Sequence, residues 1–248
     1  MAFIRADVFL CRFGWFESRE KAQAAINAGE VTINGTLITK ASKQIDESAE
    51  HDVKIGAGVC IYASCGGLKL EAAIKSFGLE EEIKGASCVD IGASTGGFTD
   101  CLLSFGASEV WAVDCGSGQL IQRLRADSRV HVLEKFNARE LTPSDVGGMH
   151  PIITMDVSFI SQTLIYPNIQ KLLRRHGALI SLIKPQFECG RAALDKHGVV
   201  KDEKFRSYAI ERCRESARLF GLNLMGTITS PVKGGDGNIE FPALFRKQ

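Results

Sequence analysis

Apolar and polar positions change their period along this chain, and the changes outline its elements. Residues 5–28 carry two short helical patterns: Val8, Leu10 and Phe13 in the first, Ala22, Ala25 and Ile26 in the second. Ser18 is placed to cap the second helix and Gly29 to end it. Val31 to Ile38 reads as two apolar runs around Asn34-Gly35, which predicts a hairpin with a type I′ turn, and residues 52–56 predict one more strand. Ala57 to Cys65 is small and irregular, as a linker should be. Leu68, Leu70, Ala73 and Ile74 then sketch a helix. Short apolar runs follow at residues 87–91, 109–114, 130–133, 152–159 and 177–185, separated by helical or loop stretches. Residues 186–200 are polar and lid-like, residues 203–220 predict a helix, and residues 222–229 and 237–245 predict closing strands. Strands alternating with helices give the α/β class: a mostly parallel, doubly wound sheet of seven strands over residues 61–248, behind a small α+β domain over residues 1–60.

The chemistry gathers where the predicted strands end. Ser87-Cys-Val-Asp-Ile-Gly-Ala-Ser-Thr-Gly-Gly-Phe98 is a strand, a glycine turn and the start of a helix. Its spacing is G-x-x-x-G-G, not the G-x-G-x-x-G of a dinucleotide site. With Asp90 ahead of so open a turn, the stretch suits S-adenosylmethionine (SAM) better than a pyrophosphate. Gly92, Ala93, Ser94 and Gly97 are its expected backbone contacts. Asp114 ends the next strand, 24 residues after Asp90, near the distance at which such folds set a carboxylate on ribose hydroxyls. Asn137, after the third strand, is placed for an adenine edge. Asp156 and Lys184 end the fourth and fifth strands. Ligands in open α/β sheets bind beyond the strands' carboxyl ends, so four polar residues placed alike mark a site. Lys69, between two leucines, reads by itself as a snorkelling side chain.

Composition narrows the classes. The hydrophobic fraction is 45%, the charged fraction 24% and the net charge +1, so no global basic field announces a nucleic acid. Residues 1–60 hold seven Lys/Arg against eight Asp/Glu; any RNA face there must arise from segregation of charge. The eight cysteines form no C-x-x-C pair, which favours a reducing cytoplasm over a disulfide framework. The five histidines lack metal-ligand spacing, so no metal is expected. No signal-peptide pattern or membrane-length apolar run is present, so no obligatory membrane partner is expected.

Two resemblances add to this reading. Arg5-Ala-Asp, Ser18-Arg-Glu-Lys-Ala and Val31-x-Ile-Asn-Gly resemble the S4 RNA-binding domain, over roughly residues 3–60. That resemblance implies RNA phosphate contacts at Arg5, Arg19, Lys21 and Lys40. Ser64-x-Gly-Gly-Leu-Lys69, Asp90 to Asp100, Asp156-Val-Ser-Phe-Ile160, Ile183-Lys-Pro-Gln-Phe-Glu188 and Gly237-Asn-Ile-Glu-Phe241 resemble the TlyA (hemolysin A) family of S4-linked, FtsJ-like 2′-O-methyltransferases acting on ribosomal RNA. One departure is Cys65, where that family usually has an arginine. The resemblance covers nearly the whole chain. It implies a Rossmann-like class I methyltransferase sheet, SAM as cofactor, with Asp156 also among its contacts, and ribosomal RNA within ribosomal subunits as partner. It also implies a catalytic tetrad of Lys69, Asp156, Lys184 and Glu240 in which Lys184 is the general base. Two alternatives stay open. A nicotinamide-dependent oxidoreductase would use Asp114 but leave both lysines and Glu240 idle. A hemolysin-like membrane-active protein would need an amphipathic or membrane-spanning segment.

Overall fold

The division of the chain falls between Ala63 and Ser64 in a computed structural model that describes all residues except 1, 2, 14, 17, 28, 50, 56–61, 235 and 236. The expected boundary at residues 60 and 61, Gly56 of the expected strand and most of the expected linker lie outside the described residues.

In residues 1–63, the Asn34-Gly35 pair sets the local geometry. Both residues have positive φ (52° and 72°), the type I′ combination that matches strand twist, and Ile33 stands opposite Thr36. The hairpin strands are β2 (Val31–Ile33) and β3 (Thr36–Leu37), and β5 (Val53–Ile55) pairs with β2 on the other side. Helices α1 (Ala6–Arg12) and α2 (Arg19–Asn27) precede them. The Lys21 amide donates to Ser18 Oγ at 3.3 Å, as a cap should receive it. A second antiparallel pair, β1 (Phe3–Arg5) with β4 (Gln44–Asp46), was not expected; three residues are too few to show a period. Phe9, Leu10, Ala22, Ile26, Val31 and Ile38 close the core of this unit.

Residues 64–248 form a seven-stranded sheet in the order β11-β12-β10-β9-β6-β7-β8. Its strands are β6 (Ser87–Ile91), β7 (Glu109–Val113), β8 (Val130–Leu133), β9 (His150–Met155), β10 (Leu173–Ile183), β11 (Leu222–Thr227) and β12 (Phe241–Lys247). The pairs from β10 through β8 are parallel, whereas β12 runs antiparallel to both β10 and β11. The helices are α3 (Gly66–Phe77), α4 (Glu80–Ile83), α5 (Gly97–Ser104), α6 (Gln122–Arg125), α7 (Tyr166–Leu172), α8 (Pro185–Glu188) and α9 (Glu203–Arg218). Glycine ends α3 as its composition requires: Gly78 takes the left-handed conformation and returns its N–H to Ile74 and Lys75 carbonyls. Val89, Ile91, Ile153, Met155, Leu179 and Phe245 are buried in one cluster of the core, and each such side chain contributes about 1.5–3 kcal/mol by burial.

Chain order along the sheet reverses between β6 and β9. A crevice opens beyond strand ends at such a point, because the following connections leave in opposite directions. Residues 186–200, expected to be lid-like, are anchored near both ends. Glu188 and Val200 are buried, the Val200 amide donates to Asn238 Oδ1 at 2.9 Å, and Asn238 Nδ2 donates to the Gly198 carbonyl at 3.0 Å.

Candidate active site

The crevice between β6 and β9 is built by the glycine turn. Gly92 has φ of +83°, and a Cβ placed on it would lie 2.2 Å from the Asp156 carbonyl oxygen. Only glycine lets the two loops approach so closely. The amides of Gly92 and Ala93 both donate to the Val113 carbonyl, at 2.8 and 3.1 Å, which turns the loop towards β7. Ser94 follows at φ +48°, and its amide donates to Asp114 Oδ2 at 2.8 Å. The Gly116 amide donates to the other oxygen, Oδ1, at 2.7 Å. Two backbone N–H groups thus fix the Asp114 carboxylate beside the turn while lone pairs remain on both oxygens. Gly97 opens α5 against α3; a Cβ there would meet Ser64 Oγ at 2.2 Å and the Gly67 amide at 3.0 Å.

Two cavities meet at this turn. The larger, about 360 Å³, runs past Asp114, Gln119, Asn137 and Phe159 and lies within the usual size of a small-molecule site. The smaller, about 190 Å³, reaches Ser64, Lys69 and Gly97. Gly92, Ser94 and Asp156 line both.

Two lysine–carboxylate pairs stand beside these cavities: Asp156 lines both and Lys69 the smaller, whereas Lys184 and Glu240 line neither. Lys69 Nζ donates to Glu240 Oε2 at 2.5 Å, and both residues are buried. Gly234 makes room for that carboxylate, since a Cβ there would lie 2.5 Å from Glu240 Oε1. Lys184 Nζ lies 2.6 Å from Asp156 Oδ1 and donates to Ser158 Oγ at 2.8 Å. Asp156 Oδ1 is buried and off the line of a hydrogen bond, so its link to Lys184 is a charge contact. Removing one member of such a pair strands the other charge out of water.

Asp90 is the clearest departure from the sequence reading. Its side chain is fully buried and lines neither cavity. It accepts from Thr99 Oγ1 at 2.7 Å and from Thr154 Oγ1 at 2.9 Å, so it braces the turn from beneath. Burial holds its carboxyl up at about 7. The reason lies in the strand: β6 is covered on both faces, so a residue near its end points into protein. Asn137 does line the larger cavity, but its side chain is tied into its own turn. Nδ2 donates to Glu140 Oε1 at 3.1 Å and Oδ1 accepts from the Arg139 amide at 3.1 Å.

Three residues take parts at the site that the sequence does not assign to them. Gln119 lines the larger cavity and accepts from Ser94 Oγ at 3.1 Å. Phe159 is 92% exposed at the rim, holds φ of +63° and sits 5.4 Å from the Phe187 ring. A bulky side chain at positive φ is strained, which the surrounding structure must enforce. Glu188 is buried, accepting from Ser161 Oγ at 2.6 Å and the Gln162 amide at 2.9 Å. It thereby ties the segment after Lys184 to the loop after Asp156. Burial pushes its carboxyl above the usual carboxylate range.

The four cations expected to meet RNA all belong to residues 1–63. Arg5 and Arg19 both end on the buried Asp7. Lys21 Nζ donates to the Ala63 carbonyl at 3.3 Å, and Lys40 is exposed. Among the described residues, no group of three or more His, Cys, Asp or Glu side chains is placed to hold a metal ion, and no helix is long and apolar enough to cross a membrane.

Comparison with known proteins identifies both parts of the chain. Residues 62–247 match the FtsJ-like methyltransferase family and residues 4–51 match the S4 domain. A candidate rRNA methyltransferase, YqxC, of Bacillus subtilis is 44% identical over 238 residues, covering 96% of this chain and 83% of that protein. The 16S/23S rRNA (cytidine-2′-O)-methyltransferase TlyA of Mycobacterium tuberculosis is 37% identical over 244 residues, 98% of this chain and 90% of that one. A solved structure from Streptococcus thermophilus, described as a candidate hemolysin, superposes with a TM-score of 0.75 at 39% identity and covers 100% of this chain and 90% of its own. The glycine turn at the sheet's switch point, the S4 match and these full-length relatives place the chain in the TlyA (hemolysin A) family of S4-linked, FtsJ-like methyltransferases.

Proposed function

We propose that this chain transfers the methyl group of SAM to a ribose 2′-hydroxyl of ribosomal RNA, with residues 1–63 docking on RNA and residues 64–248 doing the chemistry. The observation that carries the proposal is that two lysine–carboxylate pairs, Lys69–Glu240 and Lys184–Asp156, each put one member on the cavities at the glycine turn: Lys69 on the smaller, Asp156 on both.

The residues present fit SAM. A turn that no side chain but hydrogen could occupy at Gly92 leaves backbone beside the cavity. Ile91, Val113, Phe136 and Val157 give the larger cavity an apolar lining for a purine, and the oriented Asp114 carboxylate can accept from ribose hydroxyls. Bound there, SAM supplies a methyl group on a positively charged sulfur, ready for in-line attack by an oxygen.

The chain's own part is to prepare that oxygen. A ribose hydroxyl is a poor nucleophile until its proton is leaving, so a positioned base assists. Lys184 Nζ, when neutral, accepts that proton; Asp156 and Ser158 hold the amine in place. Lys69, aimed by Glu240 from within the fold, lies on the wall of the smaller cavity and orients the ribose. Holding hydroxyl and methyl in line accounts for much of the acceleration, since it makes attack effectively unimolecular. Phe159 offers an exposed ring at the rim on which the target base can stack. The name of the Mycobacterium tuberculosis relative points to cytidine as that base. A ribosomal substrate makes the cytoplasm the place of action.

Single-turnover transfer from tritiated SAM to purified ribosomal subunits tests the proposal. Wild type is expected to label ribose 2′-oxygens, and Lys184→Ala to lower the rate by about 10²–10⁴-fold with SAM affinity little changed. Tight binding of a nicotinamide dinucleotide without SAM binding would overturn it.

A further inference from the structure

The buried carboxylate of Asp7 accepts more hydrogen bonds than any other side chain among the described residues of 1–63, and neither the glycine turn nor the lysine pairs use it. It stands in the first turn of α1 with no exposed side-chain surface. Five donors converge on it. Oδ1 accepts from Arg5 Nε at 2.9 Å and from the Val8 amide at 3.0 Å. Oδ2 accepts from Arg5 Nη2 at 3.0 Å, Arg19 Nη2 at 3.2 Å and Gln23 Nε2 at 2.6 Å. A carboxylate has about four lone-pair positions, so Asp7 is saturated from within the fold. The Arg5 guanidinium beside it, with Gln23 and Arg19, holds its carboxyl far below the usual carboxylate range.

We infer that Asp7 is a positioning residue for RNA binding: a buried anion that holds Arg5 and Arg19 side by side as a phosphate cradle. The inference rests on the reading that residues 1–63 dock RNA. Two guanidinium groups this close repel one another and would part in water. Asp7 cancels one of the two charges and fixes both groups by directed bonds. One net positive charge remains, and the arginine side chains are still 42% and 56% exposed. Arg5 uses Nε and Nη2 on Asp7, and Arg19 uses Nη2, which leaves further N–H groups on both arginines for a ligand. Guanidinium groups bind phosphate best in a fixed, two-pronged geometry, and ordering them in advance removes an entropy cost from binding. Residues 1–60 carry no excess of basic residues, so geometry has to supply what net charge does not.

The test turns on a sign. Asp7→Asn keeps the shape of the side chain and makes the chain more positive by one charge. A response to charge alone predicts tighter binding to RNA. The cradle predicts looser binding, on the order of tenfold, because the two guanidinium groups are no longer held in a fixed geometry. It also predicts a flatter dependence on salt, by about 0.9 in log–log slope for each phosphate no longer neutralised. Binding of the full chain to purified ribosomal subunits between about 50 and about 200 mM salt reads both. In an Arg5→Gln, Arg19→Gln background, Asp7→Asn is expected to change nothing further. A further loss there would mean that Asp7 acts through the fold at large, and would overturn the inference. Thermal melting reports whether Asp7→Asn folds. If it does not, Gln23→Met removes one orienting donor instead; unchanged affinity in that variant overturns the inference. Equal or tighter binding by a folded Asp7→Asn also overturns it and leaves RNA docking standing. No affinity of wild type for subunits would overturn both.

Discussion

Asp90 and Lys184 show how far a single side chain's surroundings decide its role. Both stand near the end of a strand of the same sheet, yet one is sealed beneath the turn and the other ends on Asp156 and Ser158, which line the larger cavity. The buried carboxyl of Asp90 sits at about 7 rather than 3.8. Between those values the folded chain keeps a proton that the unfolded chain has released. Stability therefore falls as pH rises through that window and levels off above about 7, a change of roughly 4 kcal/mol. Asp90→Asn removes the titration, so urea midpoints measured across the window are expected to vary less with pH than those of wild type; parallel profiles would contradict this. At Lys184 the relevant comparison is arginine. A guanidinium keeps its proton at any ordinary pH, so Lys184→Arg is expected to fail in single-turnover methyl transfer as Lys184→Ala does. A near-normal rate would make Lys184 a positioning group instead of a base.

At the scale of elements, the loops after β6, β9 and β10 form one assembly, and its joints are narrow. Gly92 admits the Asp156 carbonyl, and Glu188 binds the loop that carries Asp156 to the segment that carries Lys184. Gly92→Ala is expected to weaken SAM binding at least tenfold in isothermal titration, since a Cβ at 2.2 Å forces the loops apart. Glu188→Ala strands the buried Gln162 amide and removes the Ser161 contact, and is expected to destabilise the chain by about 1–3 kcal/mol in urea unfolding. Much of this level was legible in the sequence. Five apolar runs, four of them with a polar residue at the end, gave the parallel strands and the side of the sheet that matters, and Asn34-Gly35 gave the hairpin. Periodicity does not tell which way a residue points when both faces of a strand are covered, so Asp90 was read into the crevice. Nor does it register single residues in loops: it gives no sign of Gln119, and Phe159 and Glu188 enter only inside the family's motifs, with no part assigned to them. The Ser-Phe-Ile run after Asp156 was a signal of a kind, because apolar residues just past a strand end need a reason to face water. Lys69 and Glu240 came together only through the family resemblance, since nothing local links residues so far apart.

On the scale of the whole molecule, the two units carry different tasks in the proposed function, and their separation gives a direct test. A chain lacking residues 1–63 is expected to bind SAM as the full chain does while failing to methylate ribosomal subunits. Full activity of the shortened chain would mean that residues 64–248 find the RNA unaided. The near-neutral charge of the protein adds a second expectation. With no global field to draw RNA in, association should depend on the few ordered cations of residues 1–63, so its salt dependence should disappear with them.

The place of β12 has a consequence in time. This strand follows β11 in the chain yet lies between β10 and β11, and Glu240 stands just ahead of it. Lys69 is therefore made 171 residues before the carboxylate that neutralises it. While the chain is being synthesised, the lysine at the wall of the smaller cavity has no Glu240, and β11 has no neighbour in the sheet. A product that stops short of Glu240 holds the glycine turn and Asp156 but leaves the Lys69 ammonium without its carboxylate. Vectorial synthesis thus withholds the second lysine pair, and the wall it completes, until the sheet can be closed.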